Sequence, residues 1–120
     1  MVYTGEVKKM GKITDLTKEQ QESLGKLKEQ VPDAMEGFGA FMGGVGKPGA
    51  LDGKTKELIA LALSVKAQCT WCIAIHGKKC IDLGATREEM VEAAMVAALM
   101  GGGPALMYVK IVQDTIDEFS

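Results

Sequence analysis

Residues Cys69 to Cys80 read CTWCIAIHGKKC, a stretch holding all three cysteines and the only histidine of a 120-residue chain. Three chemistries compete for it. The spacing C-x2-C-x3-H-x3-C is close to that of a single zinc knuckle, in which four ligands close a tetrahedron around the metal. That closure requires the chain to fold back on itself. The intervening residues instead have helical character, which sets Cys69 and Cys80 ~16 Å apart along one axis, so they cannot share an ion. No metal site is expected. The second reading is plain packing, since free cysteine is among the most buried residue types. It suits Cys80, one turn beyond His76. It suits Cys69 and Cys72 less well, because a C-x-x-C pair can close a short disulfide and the start of a helix lowers a thiol pKa. His76 follows Cys72 by four residues, so the two side chains meet on one helix face. Imidazole is a natural base for a thiol proton near neutral pH. A redox dithiol is the third reading.

Outward from this stretch the punctuation is that of an all-α protein. Thr17 and Gln20 form a capping-box pattern that opens a helix to about Gln30. Pro32 suits the first turn of the next, with Met35, Phe38 and Met42 at helical spacing. A Gly-rich loop leads to Asp52, a cap for the helix that carries KTKELIALALSVKAQ. The helix bearing Cys72 and His76 stops at Gly84. Thr86 and Glu89 form a second capping box for a helix to about Met100, and Pro104 opens the last. A single-domain bundle of about six helices is expected over residues 15–120. Residues 1–14 are expected to be an arm with little structure of its own.

Fourteen Lys and Arg against sixteen Asp and Glu give a formal net charge of −2. The charges are interspersed with no basic run, so nucleic acid is not an expected partner. No apolar segment follows the early charges, so no secretory signal is expected, and the cytoplasm is the expected compartment. There a close cysteine pair is more often catalytic or metal-binding than a permanent staple. The uncharged run Ala93–Val109 is short for a membrane span and is broken by Gly101, Gly102, Gly103 and Pro104, so no membrane partner is expected. Residues 90–100 are apolar on nearly all sides, and a domain this small has too few neighbours to cover them. Self-association through the 87–112 region is expected.

The segment LDGKTKELIALALSVKAQCTWCIAIHGKKCIDLGATREEMVEA, with its Glu followed by Cys-x-x-Cys-x-x-x-His, resembles the carboxymuconolactone decarboxylase superfamily, in its alkylhydroperoxidase D-like branch. Glu57, Cys69, Cys72 and His76 match that motif in order and spacing, and the resemblance extends over about residues 50–110. It implies an all-helical homo-oligomer (a hexamer, or a trimer) and a redox-active dithiol. It further implies that Cys72 is the peroxide-reactive thiol and Cys69 the resolving one. Glu57 and His76 would be the proton relay. By position alone Glu57 reads as an exposed carboxylate beside Lys54 and Lys56, and only the resemblance makes it a relay member. One departure is Trp71, at a position that is often His in the better-known peroxidases; another is Cys80, outside the motif.

The function expected is that of a thiol-dependent peroxidase or disulfide oxidoreductase, an enzyme that reduces small organic hydroperoxides and is recharged by an external dithiol. It needs no cofactor. Two other functions fit the same residues: a helical oligomer that senses redox state without turnover, and a non-redox enzyme resembling the lactone decarboxylases.

Overall fold

The computed structural model describes residues 5–120, with side chains from residue 11 onward. Five helices follow one another: α1 (Gly5–Gln30), α2 (Pro32–Gly46), α3 (Gly53–Lys66), α4 (Thr70–Asp82) and α5 (Arg87–Phe119). Among the described residues there is no strand, and the fold is all-α as expected.

Local chemistry sets most of the helix ends. Pro32 occupies the first turn of α2, where its missing N–H costs nothing. Asp52 caps α3, its carboxylate accepting the N–H of Thr55 at 2.8 Å. Hydrogen bonds from Thr55 hold the Asp52 carboxyl below the usual range. Gly84, at φ +85°, takes up the left-handed conformation that releases the chain from α4. Thr86 and Glu89 make the reciprocal capping box that opens α5. The Glu89 N–H donates to Thr86 Oγ1 at 3.1 Å, and the Thr86 N–H donates to Glu89 Oε1 at 2.8 Å. Lys54 then reaches Glu89 at 3.1 Å and ties the start of α3 to the start of α5.

The core lies where α5 packs against α3 and α4. Leu61 and Val65 of α3, Ile73 and Cys80 of α4, and Met90, Ala94, Val112 and Ile116 of α5 form one buried cluster. At the crossing of α4 and α5, Gly77 lies directly against the side chain of Thr115. A Cβ on Gly77 would stand 2.8 Å from Thr115 Cγ2, nearer than carbon atoms approach.

Two expectations are corrected. The arm expected over 1–14 is helical from Gly5, and residues 1–4 lie outside the described residues. Long-range contacts hold the end of that stretch: Ile13 is fully buried, and the Glu118 carboxylate accepts from the N–H groups of Ile13 and Thr14 at 3.1 and 2.9 Å. Thr17 consequently starts no helix; its hydroxyl donates to the Thr14 carbonyl inside α1. The helices expected to end near Met100 and begin at Pro104 are present as the two halves of α5, which meet at a kink where the break was expected, so the count is five only when the two are joined across it. Only Gly102 departs from helical geometry, at φ +72° and ψ −159°. Lacking a Cβ, it bends the chain in one residue, and Pro104 falls in the first turn beyond, where no N–H is needed.

By length and composition α5 could cross a membrane. Its positions Met90, Ala94, Ala97, Ala105, Val109, Val112 and Ile116 instead face the core. The other side of α5 is open in the single chain, with Leu99 and Met100 80% and 75% exposed. Helix α2 has no buried residue at all.

The crossing at Gly77 gives a direct test. Gly77→Ala gains helix propensity but overpacks the contact, so it should destabilise by about 1–3 kcal/mol in urea unfolding. Adding Thr115→Ser removes the opposing methyl and should restore most of that loss. If Gly77→Ala alone stabilises the protein, the close crossing is refuted.

Candidate functional site

Helices α3 and α4 are joined by a reversal of three residues, Ala67 to Cys69. The reversal is held by backbone hydrogen bonds from Ala67 to Leu63, Gln68 to Val65 and Cys69 to Ser64. Gln68 takes φ +57°, a left-handed conformation uncommon for a residue with a Cβ. The reversal delivers Cys69 to the N-cap of α4, where its Sγ accepts the N–H of Cys72 at 3.2 Å. Cys69 and Cys72 are joined as a disulfide, with Cα atoms 5.3 Å apart. Both sulfurs therefore sit at the positive end of the α4 dipole, which favours a thiolate once the bond is reduced.

One turn further along α4, His76 turns toward α3. Its Nδ1 lies 2.7 Å from Glu57 Oε1, and both side chains are partly buried. A carboxylate at that distance takes the Nδ1 proton as a hydrogen bond and leaves Nε2 as the basic nitrogen. Glu57 is thus no solvated surface carboxylate, despite its lysine neighbours. Lys54 is drawn to Glu89, and Lys56 donates to the carbonyls of Val45 and Lys47 at the C-terminal end of α2. The structure brings Glu57 to His76 and joins Cys69 to Cys72. Cys72 and His76 share a face of α4 by their four-residue spacing.

Cys80 is a free thiol with no exposed surface. Burial pushes its pKa from 9.0 up to about 12, and the nearby Glu57 charge adds to the rise. Among the described residues, no group of three or more His, Cys, Asp or Glu side chains is arranged to hold a metal ion.

Trp71, between the two cysteines, is half exposed, and its indole N–H donates to Glu19 Oε1 on α1 at 2.9 Å. Sequence reasoning missed Glu19. It stands 52 residues from Trp71, and no local pattern marks it.

Residues 32–114 match the carboxymuconolactone decarboxylase family model. The fold superposes on the apo form of a carboxymuconolactone decarboxylase family protein from Legionella pneumophila. The TM-score is 0.88 at 44% identity, covering 92% of this chain and 98% of that one. A second protein of the family, from Thermotoga maritima, has been suggested to take part in an antioxidative response. It superposes with a TM-score of 0.77 at 29% identity, covering 85% of this chain and 87% of that one. An alkyl hydroperoxide reductase AhpD from Mycobacteroides abscessus is 36% identical over 64 residues, which is 53% of this chain and 36% of that longer one.

The buried thiol yields a prediction with a definite sign. Its pKa is higher folded than unfolded, so its contribution to stability is whole below pH 9 and is lost as pH rises toward 12. Urea unfolding of wild type and Cys80→Ala should show the wild-type advantage shrinking over that window. In the native protein at pH 8, iodoacetamide should leave Cys80 unmodified; rapid native labelling would contradict its burial.

Proposed function

The chain belongs to the carboxymuconolactone decarboxylase family, and we propose that it acts as a thiol-dependent peroxidase with Cys72, Cys69, His76 and Glu57 as its working groups. The observation that carries this reading is the 2.7 Å contact between Glu57 and His76, set one turn from a cysteine pair in disulfide contact. A dithiol alone serves a sensor as well as an enzyme. A carboxylate that orients an imidazole beside that dithiol adds the means to move a proton, which turnover needs and sensing does not.

The reaction starts from the reduced pair. His76 Nε2 takes the Cys72 proton while Glu57 holds Nδ1–H and steadies the imidazolium. The thiolate attacks one peroxide oxygen, and the O–O bond breaks. The departing alkoxide takes the proton from His76 and leaves as an alcohol, and Cys72 becomes a sulfenic acid. The Cys69 sulfur then attacks the Cys72 sulfur; water leaves and the disulfide forms. Two electrons have passed from the two thiols to the peroxide. An external dithiol returns them by exchange, entering at Cys69. The indole of Trp71 donates a hydrogen bond and accepts no proton near neutral pH, so the relay runs through His76 alone.

The working form is a homo-oligomer, a hexamer by analogy with the family's alkylhydroperoxidase-like members, and its compartment is the cytoplasm, where dithiol reductants are plentiful. The uncovered apolar side chains support assembly. Phe41 on α2 and Leu99, Met100 and Met107 on α5 are each more than 60% exposed in the single chain, more apolar surface than a monomer ordinarily leaves in water.

Steady-state peroxide reduction with several dithiol donors tests the reading. Cys72→Ser should abolish turnover. Glu57→Gln and His76→Ala should each slow alkylation of reduced Cys72 at neutral pH by up to about thirtyfold, the limit set by the few per cent of thiolate an ordinary thiol keeps there, with the difference fading at a pH that ionises an ordinary thiol. Identical rate–pH profiles in all three proteins would sink the relay. Light scattering at micromolar concentration should report an oligomer, and a monomer there would overturn the assembly.

A further inference from the structure

An open groove of about 380 Å³ runs between α1, α2 and α4. Leu24, Met42 and Ile75, one from each helix, give it an apolar floor, and Gln20, Lys78, Lys79 and Asp82 supply polar groups. The two ammonium groups are not equivalent. Lys78 is paired with Asp82 at 3.1 Å and lies 5.4 Å from the centre of the Phe119 ring. Lys79 forms no ion pair among the described residues. The groove therefore carries one uncompensated positive charge beside apolar surface.

That charge has a fixed relation to the dithiol. Lys79 follows Cys72 by seven residues on one unbroken helix, so the two lie within ~20° of the same face and ~10 Å apart along the axis. Ile75 stands between them. Side chains on a helix lean toward its N-terminus, which carries the Lys79 stem back over Ile75 toward Cys72. By helix position Lys79, Ile75 and Cys72 follow along one face of α4, with Cys72 one turn beyond Ile75, the groove's lining residue nearest to it in the helix.

We propose that the groove binds a medium-chain carboxylate, its anionic end at Lys79, its chain along Ile75, Leu24 and Met42, and its far end at Cys72. A hydroperoxide of such an acid is then the substrate class: the Cys72 thiolate takes the terminal oxygen, the O–O bond breaks, and the corresponding hydroxy acid leaves with the proton from His76. The substrate assignment rests on the peroxidase reading. Carboxylate binding does not.

Calorimetric titration of the full chain with sodium octanoate separates the two. Wild type should bind octanoate more tightly than 1-octanol, and Lys79→Gln should weaken octanoate about fivefold, the scale of one partly screened ion pair. Asp82→Asn releases Lys78 and should tighten it. Rising salt should weaken binding in wild type. Octanoate affinity equal in wild type and Lys79→Gln, or no binding at millimolar octanoate, overturns the groove whether or not peroxide is turned over. Lys79-dependent binding without turnover of any hydroperoxide supports the groove and overturns the peroxidase reading instead.

Discussion

The close seating of α4 on α5 is the constraint on which the rest of this structure depends. Gly77 presents no side chain to Thr115, and so α4 sinks far enough for Ile73, Ala74 and Cys80 to be buried. With that face committed to the core, the remaining arc of α4 is shared among α3, α1 and the outside. His76 therefore meets Glu57, and Cys72 stays near the surface with its partner at the helix start. A larger residue at position 77 would lift the whole helix, and with it the spacing between carboxylate and imidazole.

Glu57 has two consequences in opposite directions. Toward His76 it fixes the tautomer and readies Nε2 as a base. Toward Cys80, one turn farther along α4, its negative charge reinforces burial and keeps the thiol protonated. Three cysteines within twelve residues thus fall into separate roles without any difference in their own chemistry. Two sit at a helix N-terminus in reach of each other, and one lies where ionisation is costly.

Much of this was legible before any coordinates. The Pro32, Asp52, Gly84 and Thr86–Glu89 signals each depend on backbone groups a few residues away, and each stands where its local chemistry puts it. The Cys69, Cys72 and His76 relation was legible for the same reason, since it spans barely two turns of one helix. What failed to read correctly were features decided at a distance. Thr17 and Gln20 have the capping pattern, yet the helix already runs through them, and just upstream Glu118, more than a hundred residues away, accepts from the N–H groups of Ile13 and Thr14. The break expected at Gly101–Pro104 is present, and it is confined to Gly102, the one residue of α5 with non-helical φ and ψ.

The sequence by itself determined the all-helical class, the helix boundaries marked by caps, and the grouping of sulfur and imidazole on one element. These follow from interactions within about four residues, whose geometry the helix repeat dictates. Only the tertiary structure decided that Glu57 faces His76 and not solvent, that Cys80 is sealed, and that Trp71 is held by Glu19. Each of those is a contact between different helices. Which faces meet depends on how deeply the helices pack, and packing depth is set by paired volumes such as Gly77 against Thr115 that no single stretch of sequence contains.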